Sequence, residues 1–511
     1  MNKTLSLLAS SLILSVTVHA QNTWALKVNI SVAENVKDQF NPDGRLFLFV
    51  SSLQGSEPRL NTWPNLANRI FALNIHDWDN STTFIFDGST KLTQSVETDL
   101  DAMPEGSYNV QVLWDQDLWQ AGFEESGNLY SNTVSVDLNK NITLDIPLER
   151  VTQSPDFEES DFLKRVDIKS DAVSDFWGKE MRIKAAVLLP SGYYKNPDAS
   201  YPVRYNISGY GSRYTRASRI VREGSDFKKW WLSDEAPQVI NVFLDGYGPF
   251  GDCYQMDSEN SGPYGTALTE ELIPYVEKTY RAEGTPESRY LDGCSTGGYV
   301  SLSLQIYYPD FFNGCFSYSA DEVDFEYCQL MNIYKDDNAF YNEYGYLRPI
   351  MRDITGEPII SQKDFIYFEN VLSPNESYVN SGGQFGAFSA LFADRGANGL
   401  PNALFDPVSG KFDRKVSEEW EKHDLKRYVE KNWETLGPKL QGKLWIWMGD
   451  MDNFYLNPPM RSFDRMLETR TNPESDAVVT FEPMMGHCQG YRQEEVLKMI
   501  AEKWSKEKSN Q

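Results

Sequence analysis

Ten consecutive residues, Tyr290-Leu291-Asp292-Gly293-Cys294-Ser295-Thr296-Gly297-Gly298-Tyr299, constrain this chain more than any other stretch. A short apolar run ends at Gly-x-Ser-x-Gly and a helix-like pattern follows, the order that sets a serine on a sharp strand-to-helix turn. Such a turn holds the serine in unfavourable dihedrals and leaves no room for side chains two positions away, which accounts for Gly293 and Gly297. Gly298 widens the clearance. A helix beginning here would aim its amide groups and dipole at an oxyanion. A plain Gly/Ser-rich loop is the alternative, because the pattern alone recurs by chance in long chains.

The N-terminus reads as a segment to be removed. Residues Met1 to Ala20 carry Lys3, an apolar stretch from Leu5 to Val18 and the ending Val18-His19-Ala20, the pattern of a secretory signal peptide. No later segment approaches the ~18 to 20 consecutive apolar residues of a spanning helix. Export to the periplasm or beyond, without a membrane span, is the expectation. The formal net charge of −26 argues against nucleic acid and anionic membrane as partners and for a neutral or small substrate. With 511 residues, two or three domains are expected.

Residues 21–150 read as an all-β, sandwich-like accessory domain. Short runs such as Ala25 to Ile30, Leu46 to Val50, Thr83 to Phe86, Tyr108 to Leu113 and Ile142 to Ile146 are separated by Asn, Asp, Gly and Pro turns. Trp114 and Trp119 are either a carbohydrate platform or core and edge aromatics, the second being the more usual role. Residues 151–160, with Pro155 and three acids, read as a linker.

From 161 to 508 the pattern changes to strands alternating with longer amphipathic segments, an α/β domain with a mostly parallel sheet. An opening antiparallel pair, Arg165 to Lys169 and Met181 to Leu189, precedes the strand Pro202 to Ile207, which runs into Ser208-Gly209-Tyr210-Gly211-Ser212. In folds built on a nucleophile elbow this loop donates one oxyanion-hole amide, so Tyr210 or Gly211 is expected to pair with the amide of Thr296. The strand Val239 to Leu244 leads to a helix over about Thr266 to Tyr280, which Pro274 should kink. About 320–440 lies an insertion rich in Tyr, Phe, Gly and Asn, read as a lid or as a surface elaboration.

The strand Leu444 to Met448 delivers Gly449-Asp450-Met451-Asp452-Asn453, which places the acid of a catalytic triad at Asp452, with Asp450 as rival. A D-x-D metal pair is the alternative, though no clustered His or further carboxylates stand nearby. The chain has four His. His19 leaves with the leader, and His76 and His423 fall in the β region and the insertion, so His487, in a Gly-flanked loop after the strand Val478 to Glu482, is the expected base. The order Ser295, Asp452, His487 is that of an α/β-hydrolase triad.

The run Glu270-Glu271-Leu272-Ile273-Pro274-Tyr275-Val276-Glu277-Lys278-Thr279-Tyr280-Arg281, the elbow with its second glycine, and Tyr308-Pro309-Asp310-Phe311-Phe312 resemble the esterase D-like α/β-hydrolases. The resemblance covers roughly residues 180–320 and 440–505. It implies S-formylglutathione hydrolases, siderophore esterases and feruloyl or acetyl xylan esterases as relatives. Of the five Cys, Cys294 precedes the nucleophile and Cys488 follows the base. If Ser295 and His487 are within hydrogen-bond reach, the flanking Cα atoms approach to disulfide distance. The arrangement also resembles the Cys-Ser, Asp, His-Cys motif of tannases and fungal feruloyl esterases, which implies a Cys294–Cys488 disulfide. Two buried free thiols are the alternative. Cys315 reads as a small apolar strand residue, whereas Cys253 and Cys328 are in loops and free to pair.

Together these readings describe an exported serine hydrolase that cleaves carboxylic esters through an acyl-enzyme without a cofactor. The resemblance implies phenolic or acetyl esters of carbohydrates as substrates. A peptidase or acyltransferase on the same triad, or a non-catalytic binding protein, are the rivals.

Overall fold

The apolar runs after residue 160 come together in one eight-stranded sheet. Its strands are β1 (Leu163–Ser170), β2 (Met181–Leu188), β3 (Val203–Ile207), β4 (Ile240–Leu244), β5 (Arg289–Cys294), β6 (Cys315–Tyr318), β7 (Leu444–Gly449) and β8 (Val478–Glu482). The structure is a computed structural model that describes residues 22–55, 57–122 and 125–509. The expected leader, Met1 to Ala20, lies outside the described residues.

The strand order is β1-β2-β4-β3-β5-β6-β7-β8. β2 runs antiparallel to both β1 and β4, and every later pairing is parallel. Strands β3 to β6 are buried along their whole length, which is why they read as continuous apolar runs. The order reverses between β4 and β5, with β3 in the middle, so the loops after β3 and β5 open side by side at the carboxyl ends of the strands. Ligand clefts of open parallel sheets form at such places.

Beneath the elbow, a buried charge pair fixes β3 to β5. Arg204 donates Nε to Asp292 Oδ1 at 2.7 Å and Nη2 to Oδ2 at 2.5 Å, both residues being fully buried. Asn206 and the Tyr491 hydroxyl also donate to Asp292, satisfying the remaining lone pairs as a buried carboxylate requires. The helical segment before the elbow is continuous through Pro274, with a wide π turn at Ala267–Leu272 whose Ile273 amide reaches back to the Leu268 carbonyl. A wider turn is how a helix accepts a residue that lacks a donor.

Among the described residues of 23–151, the only elements are strands and short 3₁₀ turns. A seven-stranded sheet centred on Gly44–Ser51 and Gly106–Asp115 faces a three-stranded sheet of Ile142–Leu148, Leu26–Val32 and Phe84–Phe86. Residues 152–160 contain no helix or strand. Along Gly44–Ser51 every residue is buried. Leu46, Leu48 and Val50 point into the core between the two sheets, while Phe47 and Phe49 point outward against Phe368, Val371 and Leu372. With both faces covered, the alternation of an exposed strand is lost. Trp114 is fully buried in the core and donates to the Asn41 carbonyl at 2.9 Å. Trp119 sits edge-on to Trp177 of the other half of the chain, 5.5 Å between centroids.

The helix Gln362–Leu372, from the insertion, takes this outer face. Arg45 is buried there and gives two hydrogen bonds to the Val371 carbonyl, at 3.2 and 3.0 Å, and a third to Asn74 at 2.7 Å. It thereby satisfies a carbonyl at the helix end and places a cation at the negative pole. Arg45→Ala should therefore cost about 2 to 3 kcal/mol, the loss of charged hydrogen bonds with a buried carbonyl left unpaired. Chemical denaturation followed by tryptophan fluorescence measures it. A midpoint unchanged from the parent would show that the contact between the two halves is not fixed by this residue.

Candidate functional site

Ser295 follows β5 at φ 63° and ψ −127°, a region that side chains rarely occupy, and the helix Thr296–Tyr307 begins immediately after it. The strain persists because backbone closes in on two sides. A Cβ on Gly293 or Gly297 would land on the Ile207 carbonyl oxygen at the end of β3, and one on Gly298 would strike the Tyr318 carbonyl at the end of β6. Gly298 thus serves close packing against β6. The Ser295 amide donates to the same Tyr318 carbonyl at 3.0 Å.

The loop after β3 lies against Ser295, since a Cβ on Gly209 would stand 3.6 Å from the Ser295 Cβ. Tyr210, next in that loop, donates its hydroxyl to the Gly382 carbonyl of the insertion.

Asp452, in the turn after β7, is fully buried. Its Oδ1 accepts the Phe454 and Leu456 amides at 2.9 and 3.4 Å, and its Oδ2 lies 2.7 Å from His487 Nδ1. The two loops are stitched together a second time, where the His487 amide donates to Asn453 Oδ1 at 2.9 Å. The imidazole is 14% exposed and meets the Phe454 ring edge-on at 4.8 Å. Burial pulls its pKa down, but the charge and hydrogen bond of Asp452 and the charge of Asp321 outweigh this, so the net shift is upward. Asp450, the rival acid, turns away and pairs with Arg461 at 2.8 Å. The two carboxylates therefore do not converge as a D-x-D pair.

Cys294 and Cys488 form a disulfide with 6.0 Å between Cα atoms. The residue after the first and the residue before the second are Ser295 and His487. Cys253 and Cys328, which the sequence left free to pair, are unpaired and buried, as is Cys315. Each packs as a small apolar side chain in the core around the sheet, and burial pushes the Cys315 thiol up to about 12.

Several residues at the site carry no signature in the sequence. Asp321, just beyond β6, is buried in the same cleft as Ser295 and accepts hydrogen bonds from Thr296 Oγ1 at 3.0 Å, Tyr254 at 3.0 Å and Gln384 Nε2 at 3.1 Å. Burial raises its pKa to about 6, against the opposing pull of Tyr254, His487 and Thr296. The one available signal was positional, an acid at the carboxyl end of the strand next to β5. Gln384 is held in place by Glu369, which accepts the Phe385 and Gly386 amides at 3.0 and 3.2 Å and so caps the helix Gln384–Phe392. Ser295, Asp321, Gln329 and Gln384 form the polar side of a cleft whose other walls are Trp63, Phe365, Phe388, Phe454 and Leu456.

Among known families, the model described as "Putative esterase" matches residues 178–479, more than half of the chain. The chain belongs to that esterase family. The esterase has the α/β-hydrolase fold, as its strand order shows independently. Similar solved structures include a ferulic acid esterase, 16% identical over 67% of this chain and 100% of that one, with a TM-score of 0.41. An S-formylglutathione hydrolase from Agrobacterium tumefaciens is 14% identical over 67% of this chain and 95% of its own, at a TM-score of 0.39. The fluorophosphonate-binding serine hydrolase FphF of Staphylococcus aureus is 13% identical over 67% and 98%, also at 0.39. No curated protein matches the sequence. Among the described residues, no helix is long and apolar enough to cross a membrane.

The electrostatics give a direct expectation. NMR titration of the His487 ring should place its midpoint above the ordinary value near 6.5, and Asp321→Asn should lower it by removing one of the charges that stabilise the imidazolium. A midpoint that Asp321→Asn leaves in place would mean that Asp321 is neutral over that range.

Proposed function

We propose that Ser295, His487 and Asp452 act as nucleophile, base and acid in the hydrolysis of carboxylic esters. The observation that carries the reading is the 2.7 Å contact between His487 Nδ1 and the buried Asp452 Oδ2, on a loop joined by disulfide to the residue before Ser295. A carboxylate at Nδ1 fixes the tautomer in which Nε2 is free to take a proton. Ser295 Oγ attacks the ester carbonyl as His487 Nε2 removes its proton, and the amides of Thr296 and Tyr210 hold the oxyanion. His487 then gives the proton to the departing alcohol. Water, activated by the same imidazole, attacks the acyl-enzyme and releases the acid.

Phenolic or acetyl esters of carbohydrates are the proposed substrates. Aromatic walls with hydrogen-bonding Asp321 and Gln384 on the other side suit a small acyl group attached to a hydroxyl-rich alcohol. Export is part of the proposal, supported by the pattern of residues 1–20 and by a disulfide that needs an oxidising compartment.

A panel of feruloyl, acetyl and short-chain esters, with an amide panel beside it, tests the reading. Ser295→Ala and His487→Ala are each expected to lower kcat by about 10⁴-fold or more with the fold retained. Asp452→Asn should cost about 10² to 10⁴-fold, and Asp450→Asn no more than a few-fold. Wild-type turnover in His487→Ala would remove the base assignment.

Breaking the bridge has a separate readout. The disulfide closes a loop of 194 residues, which in the chain-entropy model restrains the unfolded state by roughly 5 kcal/mol. The pair Cys294→Ser, Cys488→Ser should lose about tenfold or more in kcat, because the base is then held by loop packing alone. Circular dichroism at the assay temperature should still report a folded protein. Full activity in the folded double variant would show that packing suffices.

A further inference from the structure

Trp63 belongs to the all-β part of the chain, in the turn between Gly44–Ser51 and Asn68–Ile75, yet it lines the same cleft as Ser295. Its indole meets Phe365 edge-on at 5.8 Å and Phe454 edge-on at 5.8 Å, and Phe454 is the ring against His487. The walls differ in how they are held. Phe365, Phe388 and Leu456 are buried in the core, whereas Trp63 is 41% exposed and is backed by solvent.

The loop beneath it is fixed. Asn65 donates to the Trp63 carbonyl at 2.8 Å and accepts the Ala67 and Asn68 amides at 2.9 and 2.8 Å. The buried Asn68 side chain donates to the Pro58 and Asn61 carbonyls at 3.0 and 2.8 Å. The backbone therefore presents the indole at a set place, and the side chain is the part free to change rotamer. With the indole there, the cleft at Ser295 has a free volume of about 20 Å³, close to the room one water needs.

We propose that Trp63 is a specificity-determining residue for the reaction at Ser295, a wall lent by the β region that limits the size of the substrate group seated in this cleft. The inference rests on the esterase chemistry proposed at Ser295. It gives the β region a part in the site itself, beyond any contact with a polymer. Shortening the indole opens the one wall without core behind it, and a few methylene-sized clashes removed from a pocket are worth about tenfold or more in relative kcat/KM.

The experiment compares the unmodified protein, Trp63→Ala and Trp63→Phe in two series of esters. One series keeps methyl alcohol and enlarges the acid from acetate through butyrate to cinnamate. The other keeps acetate and enlarges the alcohol from methyl to benzyl. In Trp63→Ala the ratio of kcat/KM for the largest member to that for the smallest should rise about tenfold or more in one series, and the series that responds identifies whether acid or alcohol occupies the cleft. Trp63→Phe should fall between. Turnover with the ratio unmoved in both series, or a ratio that falls because the indole was a stacking platform, overturns the size limit alone. Absence of turnover by the unmodified protein overturns the chemistry at Ser295 and the size limit with it.

Discussion

The site depends on how closely three stretches of backbone approach at the end of β5. The Ile207 carbonyl from β3 and the Tyr318 carbonyl from β6 occupy the space where side chains at 293, 297 and 298 would stand. Only glycines permit that approach, and the approach is what holds Ser295 at a positive φ. The helix that starts directly after it leaves its first amides without helical acceptors. The Arg204–Asp292 pair braces the same strands from below. Its further tie to Tyr491 anchors the segment just past His487 to β5. Crowded backbone above and a satisfied ion pair below thus turn a flexible Gly-rich sequence into a rigid elbow.

One helix couples the two halves of the molecule. Along Gln362–Leu372, Phe365 faces the cleft and Trp63, Phe368 and the residues at 371 and 372 enter the β-sheet, and Glu369 caps the helix that carries Gln384. Helical spacing divides these tasks among faces of a single element. The insertion between β6 and β7 is therefore structural cement as much as a cover for the site. Charge is handled in the same economical way. Glu369 and Asp321 are both buried acids with raised pKa values, about 7 and about 6, and each spends its lone pairs on donors that position a neighbour.

The elements most legible in the sequence were those with local causes. β8 is found at Val478–Glu482 as read, and β2 and β3 within a residue of their expected ends, because short apolar runs bounded by turn residues leave little choice. The His487–Asp452 contact and the Cys294–Cys488 bridge also follow from motifs whose residues are neighbours in sequence to the glycines that shape them. Asp321, Tyr254, Gln384 and Trp63 were not legible. Gln384 and Tyr254 reach Asp321 across 63 and 67 residues, and Trp63 lies in an Asn- and Pro-rich turn that resembles any surface loop. Nothing local distinguishes such residues, since only the packing of the insertion and the β region against the sheet brings them to one cleft. Whether Cys253 and Cys328 pair, which the sequence left open, was not legible for the same reason, as two loops that both follow strands need not face one another.

The bridge also imposes an order of events on the polypeptide. It cannot close until everything from residue 295 to residue 487 has been made, including the insertion and strands β6 to β8. Until the two thiols have met and been oxidised, Ser295 and His487 are held together by packing alone, however complete the sheet may be. In a compartment that keeps thiols reduced the same fold would carry an unfastened site. The covalent link therefore acts as a clock on maturation, tying the finished geometry of Ser295 and His487 to where the chain is and to how much of it has already folded.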